Sequence, residues 1–250
     1  MKILEFGKEN EKKIILIHGF QCPYQVWNKY IDRFKENFHI IIPILPGHYP
    51  NDDNFVSVES TAKEIEDFYL NRYGNNVYAI YGMSLGGVIV AKIWQNKRIK
   101  IDNIIFDGSP LVSQNKLMNK LLTWWYLNIS KKTRLRDRRV IDQAKKTIVR
   151  KENFNDFLKL MDHMTNSTVT NVMQGVGNYL LPININTNET NIYYYHGTKI
   201  NEFYSKKSAK YLLEHYPHAK VHCFKGKGHC EISIMEYPVM INELNKILYK

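Results

Sequence analysis

Short, almost wholly apolar runs alternate with longer stretches in which apolar residues recur every three or four positions. Lys2 to Phe6 and Ile14 to Ile17 read as strands joined by the turn GKENEKK. Val26, Trp27, Tyr30, Ile31 and Phe34 predict a helix over 24–37. Another buried strand, His39 to Leu45, closes at PGHYP. Ile65, Phe68 and Tyr69 predict a helix over 57–73, stopped by Gly74. Val77 to Tyr81 reads as a strand, Leu85 to Asn96 as a helix and Ile101 to Phe106 as a strand. After Asp107 the alternation stops, and 108–190 shows helical periodicity without a convincing strand. It resumes with strand Ile192 to His196, helix Tyr204 to Tyr216, strand Lys220 to Phe224 and helix Ile232 to Tyr249.

Apolar strands separated by helices predict an α/β protein, with a mostly parallel central sheet covered by helices on both faces. A connection as long as 108–190 is rarely structureless, so it reads as a helical cap on a core formed by 1–107 and 191–250. The chain has 250 residues, 44% of them hydrophobic, enough for a large core. No run approaches the roughly 20 apolar residues of a membrane span, and the first ten residues lack the apolar core of a secretory signal. The expectation is a soluble, cytoplasmic protein without stable membrane insertion. Cys22, Cys223 and Cys230 are an odd number without CxxC spacing, which suits free thiols.

The net charge of +11 changes this picture in one place. Residues 131–151 hold ten Lys or Arg against Asp137 and Asp142. The run could attract an anionic ligand or lipid, but its simpler reading is a solvated helix face. It lacks interleaved aromatic residues, so nucleic-acid binding is not expected.

In a parallel sheet, functional residues gather just beyond the carboxyl ends of the strands. Beyond Val77 to Tyr81 stands Gly82-Met83-Ser84-Leu85-Gly86-Gly87, a GxSxG pattern in a strand–turn–helix setting. A serine lifted on so sharp a turn needs small neighbours two positions to either side. Ile17-His18-Gly19-Phe20 follows an early strand, where the NH of Phe20, with that of Leu85, could bind an oxyanion. Gly226-Lys227-Gly228-His229 follows the last strand, and His229 in that loop could serve Ser84 as general base.

Together HGF, GMSLGG, the helical insertion and GKGH resemble the α/β-hydrolase fold family over nearly the whole chain, in that family's order of serine, acid and histidine. The resemblance implies a serine hydrolase acting on an ester or related small acyl substrate through an acyl-enzyme intermediate, with no cofactor. It also implies that His18 shapes the oxyanion loop. The acid departs from the family's GxxD pattern, because Ile200 fills the expected slot of HGTKINE. Two carboxylates compete for the role: Glu202, two positions late, and Asp107, where some members place it.

Met83 is expected at the pocket or its wall, and Trp124 and Trp125 beside an acyl or aromatic group of the substrate. His48 either lines the site or holds a turn. His215, His218, His222 and Cys223 lack a convergent spacing, so no metal is expected. The departure at Ile200 keeps a second class open, a non-catalytic ligand sensor of the same fold. The pattern leaves the oligomeric state undefined.

Overall fold

The computed structural model describes residues 1–50, 52–186 and 189–250. Seven strands form one sheet: β1 (Lys2–Phe6), β2 (Lys13–Ile17), β3 (His39–Ile44), β4 (Asn76–Met83), β5 (Lys100–Asp107), β6 (Asn191–Gly197) and β7 (Lys220–Phe224). Their spatial order is β1-β3-β2-β4-β5-β6-β7. Only the edge strand β1 runs antiparallel, against β3; every other pair is parallel.

The sheet is buried on both faces, which is why its strands read as apolar runs rather than alternating ones. In β2, Ile15 and Ile17 enter one core and Ile14 and Leu16 the other. The first core packs beneath α2 (Val58–Tyr73), α3 (Leu85–Asn96) and α8 (Phe203–His215). The second packs beneath α1 (Asn28–Phe34) and α10 (Tyr237–Leu248). Each isoleucine so buried contributes roughly 1.5–3 kcal/mol.

Two predicted helices break. The first is a 3-10 turn, Tyr24–Trp27, followed by α1. The last divides into α9 (Glu231–Met235) and α10 at Glu236, whose φ of −115° and ψ of 39° are not helical, two residues before Pro238. A proline in the first turn of the new helix has no amide to waste and a φ already set, so the break sits where it costs least.

Between β5 and β6 lie α4 (Lys116–Arg134), α5 (Arg138–Thr147), α6 (Phe154–His163) and α7 (Asn166–Asn178). They enclose a small core of their own, with Ala144, Val149, Phe157, Leu160, Met161, Met164 and Val169, against which Phe20 and Tyr126 pack. The basic run here is only partly a solvated face. Arg150 is buried and donates to the carbonyls of Ile234 at 3.0 Å and Val26 at 3.3 Å, tying the insertion to α9 and to the 3-10 turn 24–27.

Candidate active site

Strand register brings the site together. Gly82 pairs with Ile17 and with Phe106, and Met83 pairs with Asp107, so β2, β4 and β5 end side by side. Ser84 follows with φ 51° and ψ −113°, a conformation costing a non-glycine residue about 1–3 kcal/mol. Its surroundings hold it there: its amide donates to Asp107 O at 2.8 Å, and its carbonyl accepts from Gly87 N at 3.0 Å and Val88 N at 3.3 Å.

The glycines leave no room for substitution. A Cβ on Gly82 would lie 2.6 Å from Gly86 and Gly87 backbone atoms, and one on Gly86 2.3 Å from Ile17 O. Strand β4 and helix α3 therefore pass in direct backbone contact. A Cβ on Gly87 would lie 1.7 Å from Ser109 Oγ, so this glycine makes space for the residue leaving β5.

His229 Nε2 lies 2.8 Å from Ser84 Oγ. On the other side of the ring, Nδ1 stands 3.5 Å from Oε1 of Glu202, an ion-pair distance. Glu202 is fully buried, and among the described residues its two carboxylate oxygens and His229 Nδ1 lack any hydrogen-bond partner. Each is thus the partner open to the other across that 3.5 Å separation. Burial disfavours the charged forms of both, yet the attraction outweighs it: His229 is held above its ordinary value, mainly by Glu202 with help from Asp107, and Glu202 below its own.

The loops carrying these two side chains are laced together. Thr198 N and Lys199 N donate to Lys227 O at 2.8 and 3.0 Å, and Gly226 N donates to Thr198 Oγ1 at 2.7 Å. A Cβ on Gly197 would lie 2.1 Å from Lys227 O, so only glycine permits this approach. Cys230, at φ 50°, turns the chain after the histidine into α9.

Asp107 occupies different surroundings. Its Oδ2 accepts from Ser233 Oγ at 2.5 Å and from Tyr81 OH at 3.1 Å, and it makes no ion pair with His229 among the described residues. Burial raises its pKa to about 6, against the pull of Ser233. Of the two candidate acids, only Glu202 faces the histidine directly.

The turn after β2 lies against the serine, since a Cβ on Gly19 would be 3.4 Å from Met83 O and 3.5 Å from Ser84 Cβ. Two neutral histidines pin it. His18 Nδ1 faces Gly19 O at 2.9 Å while Nε2 accepts from Leu45 N at 3.1 Å, and His48 Nε2 accepts from Gln21 N at 3.3 Å. Burial lowers their pKa values to about 3 and about 4. Neither the Phe20 nor the Leu85 amide donates to a backbone or side-chain acceptor among the described residues, and α3 directs its positive end at the same point. Two free donors beside a serine hydroxyl, itself bonded to an imidazole, can stabilise an oxyanion as the serine proton leaves.

The three residues expected at the pocket divide between core and surface. Met83 is buried on the sheet face under α1 and α10, in the same core as Cys22 and Cys230, where alternation along β4 puts its side chain. Trp124 and Trp125 are exposed on α4. Tyr126 of α4 packs on Phe20, with ring centroids 5.3 Å apart. Four residues further, Ser130 Oγ accepts from Gln21 Nε2 at 2.7 Å. The spacing of Tyr126 and Ser130 was the available signal, masked by the louder Trp-Trp pair. Among the described residues no group of three or more His, Cys, Asp or Glu could hold a metal; His215 packs on Tyr211 and His222 on Phe224.

A sequence profile of the α/β hydrolase fold matches residues 12–231. The chain belongs to that family. Solved structures of similar shape include a protein of the family from Desulfitobacterium hafniense, at 21% identity and TM-score 0.78, covering 99% of this chain and 100% of that one. An esterase from Exiguobacterium antarcticum aligns at 14% identity and TM-score 0.78, covering 99% and 95%. MenH from S. aureus aligns at 16% and 0.73, covering 100% and 98%. At these identities the likeness is one of fold. No curated protein sequence matches the chain significantly.

Proposed function

We propose that this member of the α/β hydrolase fold family is a serine hydrolase that cleaves an ester or related small acyl substrate. The observation that carries the reading is the 2.8 Å contact between His229 Nε2 and Ser84 Oγ on a strained turn. His229 takes the Ser84 proton as Oγ attacks the carbonyl carbon, and Glu202 stabilises the imidazolium that forms. The amides of Phe20 and Leu85 bind the oxyanion of the tetrahedral intermediate. His229 then returns the proton to the leaving group, and water releases the acyl chain by the same steps in reverse order of partners. Residues 108–190 act as the cap, with Tyr126 at the wall of the acyl site. The neighbouring esterase structures and the profile match support this choice of chemistry.

A fluorophosphonate probe tests the proposal. Wild-type protein should be labelled, Ser84→Ala should not, and hydrolysis of short p-nitrophenyl esters should disappear with the label. Equal labelling of both proteins would end the hydrolase reading.

A further inference from the structure

Helix α4 has two faces of opposite use. Its inner face carries Tyr126 against Phe20 and the buried Ser130 and Thr133. Its outer face carries Leu117, Leu121 and Trp124 at positions i, i+4 and i+7, left 77%, 55% and 63% exposed, with Met118 and Trp125 beside them. A contiguous apolar stripe on a helix in water marks an interaction surface.

The charges around it indicate what covers it. Helix α4 contains no acidic residue. At about 100° per residue, Lys120 and Lys131 fall within about 40° of Trp124, and Lys132 within about 20° of Leu121. None of these lysines makes an ion pair among the described residues, nor do Lys116, Arg139, Lys146 and Lys151 in the same insertion. A second copy would set lysine against lysine across the apolar stripe, so self-pairing lacks complementarity. An anionic lipid surface supplies both missing parts: phosphate charge for the lysines, and an acyl–headgroup boundary for tryptophan and leucine. No helix among the described residues is long and apolar enough to cross a membrane, so contact stops at the surface.

We propose that the outer face of α4 docks this protein onto anionic membrane surfaces. Docking stands whether or not Ser84 is a nucleophile. If it is, Tyr126 and Ser130 place the oxyanion turn directly behind the docked helix, so that substrates dissolved in the lipid meet the site.

Co-sedimentation with vesicles tests this, using the full chain as Ser84→Ala so that no lipid is hydrolysed. The protein should pellet with phosphatidylcholine vesicles containing phosphatidylglycerol and not with phosphatidylcholine alone, release with added salt, and shift its tryptophan emission to the blue on binding. Lys120→Gln, Lys131→Gln and Lys132→Gln together should weaken partitioning roughly a hundredfold, at about fivefold per lysine. Leu121→Ser with Trp124→Ser should abolish it; both sets alter exposed side chains and should leave the unfolding midpoint unchanged. Equal pelleting with both vesicle types, no pelleting, or binding that survives both sets of substitutions would overturn the proposal. So would a dimer in sedimentation velocity that Leu121→Ser with Trp124→Ser dissociates, which would give the face to a second copy.

Discussion

Replacing Glu202 by glutamine removes the charge that faces His229 while keeping the size of the side chain. At the 3.5 Å separation of Nδ1 and Oε1, Coulomb's law gives about 5 kcal/mol at an effective dielectric constant near 20 and about 1 kcal/mol in bulk water. Glu202 is buried, but the His229 side chain is 31% exposed, so solvent screens part of this attraction. An intermediate value of about 3–4 kcal/mol corresponds to a loss of roughly 10²–10³ in kcat/KM. The pH profile should move as well. The general base must start neutral, so the rate rises with pH through the pKa of His229, which Glu202 holds above its ordinary value. Without that charge, burial remains and pushes the imidazole down, so the acid limb of kcat/KM should move to lower pH even as the plateau falls. The assay is p-nitrophenyl ester hydrolysis across about pH 5 to 9, with the unfolding midpoint of Glu202→Gln checked against wild type. A plateau within twofold of wild type, or an acid limb that moves upward, would refute the assignment of Glu202 and return the role to Asp107.

Gly86→Ala should destabilise the fold by about 3 kcal/mol or more in denaturant titration, because its Cβ would meet two backbone carbonyls, at Ile17 and His18, that cannot move aside independently. Asp107 behaves oppositely to a salt-bridged carboxylate. Its folded pKa of about 6 exceeds the ordinary 3.8, so the folded state binds the proton more tightly and stability falls as pH rises between those values, by roughly 3 kcal/mol. Asp107→Asn should remove that slope from a plot of unfolding midpoint against pH while costing little activity at the plateau; a slope that persists would locate the titrating group elsewhere.

Local chemistry makes much of this legible in the sequence. GMSLGG announced its turn because only glycine tolerates backbone atoms at 2.3–2.6 Å, and β2 and β3 announced burial on both faces by leaving no polar position between their isoleucines. What stayed hidden depended on rotation about a helix axis or on distant partners. Trp124 and Tyr126 differ by two residues, about 200° around α4, and no composition rule says which side meets Phe20. Arg150 reads as one more charge in a basic run, yet it is buried because two carbonyls distant in sequence, of Val26 and Ile234, converge on it.

Under the proposed assignment of Glu202 as the acid, the local backbone accounts for its place two residues beyond Ile200. Residues 200–202 form a 3-10 turn, in which three residues complete a revolution. Two steps along it rotate the side-chain direction by about 240°, so a chain that points Ile200 to solvent carries Glu202 inward. The burial agrees: Ile200 is 89% exposed and Glu202 is not exposed at all. A carboxylate at 200 on this backbone would therefore be hydrated and turned away from His229, whereas one at 202 begins α8 from inside the protein. The extra methylene of glutamate lengthens its reach toward Nδ1, and the bonds from Thr198 and Lys199 to Lys227 fix how far that reach must be. The two-residue shift and the longer side chain are thus one adjustment, made within a turn whose position against the histidine loop is set by Gly197.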